Sequence, residues 1–182
     1  WCVPLHNDPI SKQEMAEIRA GYDELFEHCR QTAACFIHTI DPRGVFEVSE
    51  QERHAFLEQQ YAARGFSMWQ GNFRDMLIDH AANKVVADFV ADKIRGRVKD
   101  QTVAEKLIPK DHGFGTRRVP QETFYYEVYN QPNVELVSML DTPIERITPE
   151  GIKTTEAAYA FDAIVYATGF DAVSGSFDRI DI

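Results

Sequence analysis

The spacing of apolar residues changes at Pro109, and that change limits the folds open to this chain. Between Ser11 and Pro109 apolar residues recur every three or four positions, the period of an amphipathic helix. The loop Lys110-Asp111-His112-Gly113-Phe114-Gly115-Thr116-Arg117-Arg118 follows. Beyond it the apolar residues fall into short runs bounded by turn residues, the habit of strands. The pattern predicts an α/β chain, a helical stretch followed by part of a sheet.

The helices announce themselves by their caps. Ser11 with Glu14, and Ser49 with Glu52, have capping-box spacing. The first opens a stripe of Met15, Ile18, Tyr22, Leu25, Phe26 and Cys29, predicted as one helix to about Arg30; the second opens a helix that stops at Gly65. Residues 31–47, with Pro42 and Gly44, read as a loop. Phe66, Met68, Trp69 and Phe73 form an aromatic connection. Asn72 is expected to cap a short helix carrying Met76, Leu77 and Ile78. Asn83 is expected to cap the next, with Val86, Phe89, Val90 and Ile94 on one face, ending near Gly96. Asp100 caps the last, which runs through Ile108 to Pro109.

After the loop, residues 122–129 read as a helical turn and residues 134–137 as a strand. Residues 144–148 and 152–155 read as a hairpin around Thr148-Pro149-Glu150-Gly151. Residues 161–168, apolar on both faces, read as a covered central strand. Trp1 to Pro9 reads as irregular. A doubly wound sheet needs more strands and crossovers than residues 134–171 hold. The expected setting is therefore a sheet domain whose missing strands precede Trp1, follow Ile182, or both, with the helices inserted in it.

The net charge of −10 over 182 residues argues against nucleic acid or an anionic membrane as main partner. Lys93 to Arg118 nevertheless holds eight Lys/Arg against three Asp/Glu, a local +5 that leaves −15 for the remainder. A basic segment in an acidic protein suits a small anionic ligand, although a solvated helix end beside a basic loop has the same count. Three cysteines form no disulfide framework, and neither a signal peptide nor a membrane-length apolar run is present, so a cytoplasmic setting is expected. His28, Cys29, Cys35 and His38 match no zinc spacing, and no metal is expected.

Two short stretches carry chemistry. Gly113 and Gly115 give the loop backbone freedom. Arg117-Arg118 adds permanent charge with planar donor forks, suited to phosphate or another oxyanion, though surface arginines on loops are common. Ala167-Thr168-Gly169 closes the predicted covered strand; glycine often ends strands, and ligands of α/β sheets also sit beyond strand carboxyl ends. No Gly-x-Ser-x-Gly, HExxH, Walker or GxGxxG pattern is present.

Taken in order, several stretches resemble the Baeyer–Villiger monooxygenases of the cyclohexanone monooxygenase type. They are Phe114-Gly115-Thr116-Arg117-Arg118, Tyr125-Tyr126-Glu127, Asn130 to Val137, Thr142-Pro143-Ile144-Glu145, Ile147-Thr148-Pro149, Gly151-Ile152, Ala167-Thr168-Gly169-Phe170-Asp171-Ala172 and Ile180-Asp181-Ile182. The helical half fits more loosely, through Val86 to Phe89, Lys93 to Arg95 and Leu107 to Lys110.

The resemblance implies two dinucleotide-binding domains, for FAD and NADPH, with a helical insertion in the NADPH domain. Residues 1–10 would be the tail of one section of a Rossmann-like NADPH domain. Residues 11–109 would be the insertion, 110–162 the return through the NADPH domain and 163–182 the crossover to the FAD domain. Arg118 would be the active-site arginine. Arg117 would stand, where Lys is usual, on the NADPH 2′-phosphate, with Thr116, Thr168, Gly169, Phe170 and Asp171 also beside the cofactors. Gly113 occupies a position where Pro is common, so a looser loop is expected.

The implied reaction turns a small ketone and molecular oxygen into an ester or lactone through a peroxyflavin. The family's glycine-rich fingerprints and its FxGxxxHxxxWP/D signature would precede Trp1. The 182 residues alone are therefore expected to bind no FAD and to be inactive, with the rest of the parent polypeptide as their partner. Two alternatives remain open at this point: a flavin monooxygenase that oxidises nitrogen or sulfur, and a non-catalytic helical binding module.

Overall fold

The computed structural model describes residues 1–6, 8–32, 34–169, 175, 180 and 181. It holds two compact units, Trp1–Leu136 and Val137–Ile182.

The first unit is built on one long helix, α5 (His80–Arg97), which turns Ala82, Asn83, Val86, Val90, Ala91 and Ile94 inward. Those positions trace one face of a helix, as the apolar period requires. Around it lie α3 (Glu50–Ala62) through Leu57, α4 (Ser67–Gln70) through Met68 and α6 (Gln101–Leu107) through Ala104. Val3, Val45, Phe73, Met76, Val98, Ile108, Phe114, Val119 and Tyr126 add to the core from outside these helices. Two further helices, α1 (Lys12–Ala20) and α2 (Tyr22–Gln31), bury no residue.

A two-stranded parallel pair joins β1 (Val3–Pro4) to β2 (Gln121–Glu122), in the register Val3↔Gln121 and Pro4↔Glu122. The helical stretch thus leaves and returns at neighbouring backbone positions. Arg97, at the end of α5, secures the return. Its guanidinium forks onto Glu127 (2.6 and 2.8 Å), reaches Glu122 at 2.6 Å and Tyr61 at 3.3 Å, and lies 5.0 Å from the centre of the Tyr126 ring. Burial alone draws the Arg97 pKa down, but the hydrogen bonds to Glu127, Glu122 and Tyr61 outweigh it and leave it raised. Tyr126 in turn accepts from Cys2 N at 3.2 Å.

The second unit is an antiparallel meander of β3 (Ile144–Thr148), β4 (Gly151–Thr154) and β5 (Ala158–Ala160). The predicted hairpin is present, with Thr148↔Gly151 closing the turn. Glycine is needed at 151 because a Cβ there would lie 2.0 Å from Tyr159 O.

Several expectations change. The first helix breaks at Gly21, whose N–H bonds back to Glu17 and Ile18, and its capping box is half formed because Glu14 pairs with Arg64 at 2.7 Å. The second box is complete, and α3 ends at Ala62, ahead of Gly65. Asn72 caps no helix: its amide is buried between Met68 O and Phe73 N, Phe73 bridges Asp41, and residues 74–78 are turns. Asp79, not Asn83, caps α5. Phe124 has φ +59°, which interrupts the helical turn foreseen at 122–129 and leaves a 3₁₀ turn, Glu127–Asn130. Residues 134–137 form no strand; Val134 N instead closes a turn onto Gln131 O.

Residues 161–168 form no strand either, since no described strand pairs with them. Val165 and Tyr166 are 89% and 65% exposed. The short β1, β2 and β5 were not foreseen, because two or three residues are too few to show a period.

Arg97→Ala would leave Glu122, 7% exposed, without its cation. Breaking a buried pair from one side is expected to cost about 3–5 kcal/mol in urea unfolding followed by tryptophan fluorescence. A change under about 1 kcal/mol, the level of an exposed pair, would remove the network from the account of this unit.

Candidate functional site

Once Asp79 has taken the cap of α5, the Asn83 side chain is free to turn inward. It meets the loop 110–118 at Phe114. Asn83 Oδ1 accepts from Phe114 N at 3.0 Å, and Nδ2 donates to Phe114 O at 2.8 Å and to Met76 O at 2.9 Å. One buried amide thus satisfies both backbone groups of a residue whose side chain is itself wholly buried. Phe114 packs edge-on to Trp1, with ring centroids 6.1 Å apart.

Further bonds fix the loop on either side of Phe114. The Trp1 indole N–H donates to His112 O and the Trp69 indole N–H to Gly115 O, each at 3.1 Å. The Thr116 hydroxyl donates to Gly113 O at 2.9 Å, closing the loop on itself. At Gly113 a Cβ would lie 2.3 Å from Asn83 Oδ1. Gly115 has φ +76°, and a Cβ on it would press on Trp69 at 3.0 Å. Both glycines allow close approach of the loop to its anchors.

Charge is arranged along the exposed side. Asp111 Oδ1 bonds His112 Nδ1 at 2.7 Å and Oδ2 reaches Arg117 at 3.2 Å. The His112 hydrogen bond, assisted by the Arg117 charge, holds the Asp111 carboxyl below its usual range. At the loop entrance Glu105 binds Arg95 at 2.7 Å and Lys110 at 2.5 Å, and these bonds draw its pKa to about 2. Arg118 is exposed and has no hydrogen-bond or ion-pair partner among the described residues.

The structure therefore brings Thr116, Arg117 and Arg118 together on one anchored loop. Thr168 and Gly169 lie in the second unit, both exposed, with Gly169 at φ +87°. Phe170 and Asp171 lie outside the described residues. Among the described residues no group of three or more His, Cys, Asp or Glu could hold a metal, and no helix is long and apolar enough to cross a membrane. Sequence reasoning missed Asn83, Trp69 and Asp111. A polar residue at an inward position of an apolar helical face, between Ala82 and Val86, was the available signal for Asn83.

Next to Trp69 lies a cavity of about 570 Å³, lined by His28, His38, Ile40, Phe73 and Leu77 among others, with Gln70 Oε1 buried and without a hydrogen-bond partner among the described residues. Trp69 and Leu77 are also the side chains nearest to Gly115.

No protein-family model matches the chain. A protein of Pseudomonas putida named 2-oxo-Δ3-4,5,5-trimethylcyclopentenylacetyl-CoA monooxygenase is 56% identical over 182 residues, which is 100% of this chain and 33% of the relative. A Baeyer–Villiger monooxygenase of Pseudooceanicola batsensis is 34% identical over 184 residues, again 100% of this chain and 33% of the relative. The chain is homologous along its whole length to Baeyer–Villiger monooxygenases. The crystal structure of OTEMO in complex with FAD and NADP superimposes with a TM-score of 0.96 at 55% identity, covering 100% of this chain and 34% of that one. The chain thus spans about a third of the length of these Baeyer–Villiger relatives, and the likeness runs through its helices and its strands.

The depressed Glu105 pKa has a direct consequence. A carboxyl held near 2 when folded and near 4.5 when unfolded contributes stability that is complete above about 4.5 and lost as pH falls towards 2. Glu105→Gln is expected to flatten the pH dependence of unfolding in that window and to lower stability at neutral pH by the contribution it removes. Identical acid-unfolding curves for the two proteins would exclude Glu105 as the tie between α6 and the loop.

Proposed function

We propose that this chain is the middle segment of an FAD- and NADPH-dependent Baeyer–Villiger monooxygenase that converts a small ketone and oxygen into an ester or lactone. The observation that carries the reading is the anchored loop, which exposes Arg117 and Arg118 side by side in a chain homologous to such enzymes. The donor set fits the cofactor's charge, since two permanent cations with planar forks suit phosphate and developing oxyanions. The chain has no GxGxxG turn, so the dinucleotide pyrophosphates are held by other parts of the protein.

FAD and NADPH, when bound, would supply the electrons that activate molecular oxygen, the source of the inserted oxygen atom. Arg117 takes the NADPH 2′-phosphate, exchanging its long contact with Asp111 for a charge-assisted one. Arg118 stabilises negative charge where it gathers on the substrate oxygen. Thr116 holds the turn that presents both.

The parallel pairing of Val3–Pro4 with Gln121–Glu122 supports a domain reading in which residues 11–109 are a helical insertion between two sections, 1–10 and 110–162, of a Rossmann-like NADPH domain. Residues 163–182 are then the crossover to the FAD domain, with Thr168, Gly169, Phe170 and Asp171 near the cofactors. The ketone class rests on the 2-oxo group in the name of the Pseudomonas putida relative.

In the full-length protein, Arg118→Ala is expected to abolish ester formation. Arg117→Ala is expected to raise the KM for NADPH about tenfold, the equivalent of one lost charge-assisted contact. Product analysis with a cyclic ketone and a tertiary amine reads the reaction directly. Ester at the normal rate from the Arg118→Ala enzyme, or N-oxide as the main native product, would overturn the proposal.

A further inference from the structure

Arg117 and Arg118 are exposed, and neither is packed into the core. Their placement must therefore come from the backbone that carries them. That backbone is fixed three residues earlier, at Phe114, and the group that fixes it sits in the first turn of α5. Asn83 is 8% exposed and uses its amide for three hydrogen bonds, two of them to the N–H and C=O of Phe114.

No other side chain of similar size replaces it. An aspartate offers two acceptors, so Phe114 O and Met76 O would both lose their donor and face a negative oxygen. A leucine or alanine leaves the N–H and C=O of Phe114 buried and unpaired, the expensive case for a hydrogen bond. The loop is matched to Asn83 from its own side, because Gly113 leaves no room for a Cβ beside Oδ1. Trp69 adds the next bond, to Gly115 O, two residues before Arg117.

We infer that Asn83 is a positioning residue of the reaction: its side-chain amide, aided by the Trp69 indole, sets where the loop holds Arg117 and Arg118. The inference rests on the role proposed above for those arginines. It separates two effects of a misplaced loop. A shifted Arg117 weakens NADPH binding, and a shifted Arg118 lowers the yield of ester for each NADPH consumed. Loss of folded protein alone would lower the apparent rate and change neither quantity.

The test uses the full-length flavin-loaded enzyme with Asn83→Asp, Trp69→Phe and Gly113→Ala. Leu57→Ala, a core change in α3 that removes none of the hydrogen bonds to the loop, is the control for lost stability. The readouts are the KM for NADPH and the ratio of ester formed to NADPH oxidised. Asn83→Asp is expected to raise the KM and lower the ratio, each by at least about tenfold, since two buried carbonyls lose their donor. Trp69→Phe, which keeps an aromatic ring and removes one N–H, and Gly113→Ala are expected to move both readouts the same way. They carry the test if Asn83→Asp does not fold. Leu57→Ala is expected to keep both at native values.

Native KM and native coupling in the folded variants, in an enzyme whose Arg118→Ala form has lost ester formation, would overturn the inference alone. Ester formation surviving Arg118→Ala would overturn the functional reading, and the inference with it.

Discussion

The exchange of hydrogen bonds between Asn83 and Phe114 is the contact on which the rest of this structure depends. It joins the inner face of α5 to the loop where helices give way to strands. A buried amide is costly unless each of its groups is satisfied. Here Oδ1 takes one N–H, and Nδ2 gives to two carbonyls. The same low-dielectric setting that would penalise an unpaired amide strengthens a paired one. Asn83 thereby specifies the loop geometry more sharply than an apolar contact could. The two glycines, the Trp69 bond and the buried Phe114 ring all presuppose this alignment.

A second polar cluster works at the other end of α5. Arg97 gathers Glu122, Glu127 and Tyr61 and lies over the Tyr126 ring, while Tyr126 bonds the backbone of Cys2. The first strand, the long helix and the returning strand are thus tied where the backbone leaves and comes back. Asn83 and Arg97 act at opposite ends of one 18-residue helix, about 27 Å long at 1.5 Å per residue. A helix anchored at both ends is a firm base for a loop that carries two exposed cations.

The helices were legible because caps and a 3.6-residue period are local signals. Ser49–Glu52, Asp100 and the Val86–Ile94 face all appear in the structure. Asn83 was misread because Asp79, one turn earlier, competes for the same cap, and the loser becomes an interior residue. Asn72 was misread for a related reason: its amide caps the carbonyl of Met68 and not a following helix. The run from Phe161 to Thr168 has the composition of a covered strand, but composition cannot supply the neighbour that a ladder needs. The arginine pair and its loop were visible in the sequence; the anchors were not, since Asn83 and Trp69 lie 31 and 46 residues from the groups they bind.

Cofactor preference tests the central claim most directly, because NADPH and NADH differ only in the 2′-phosphate assigned to Arg117. The ratio of kcat/KM for NADPH to that for NADH should be measured for the native full-length enzyme and for Arg117→Ala. The account predicts that the native preference for NADPH collapses in the variant through loss on the NADPH side, with NADH turnover and ester yield unchanged. A preserved preference, or equal losses with both nucleotides, would contradict it.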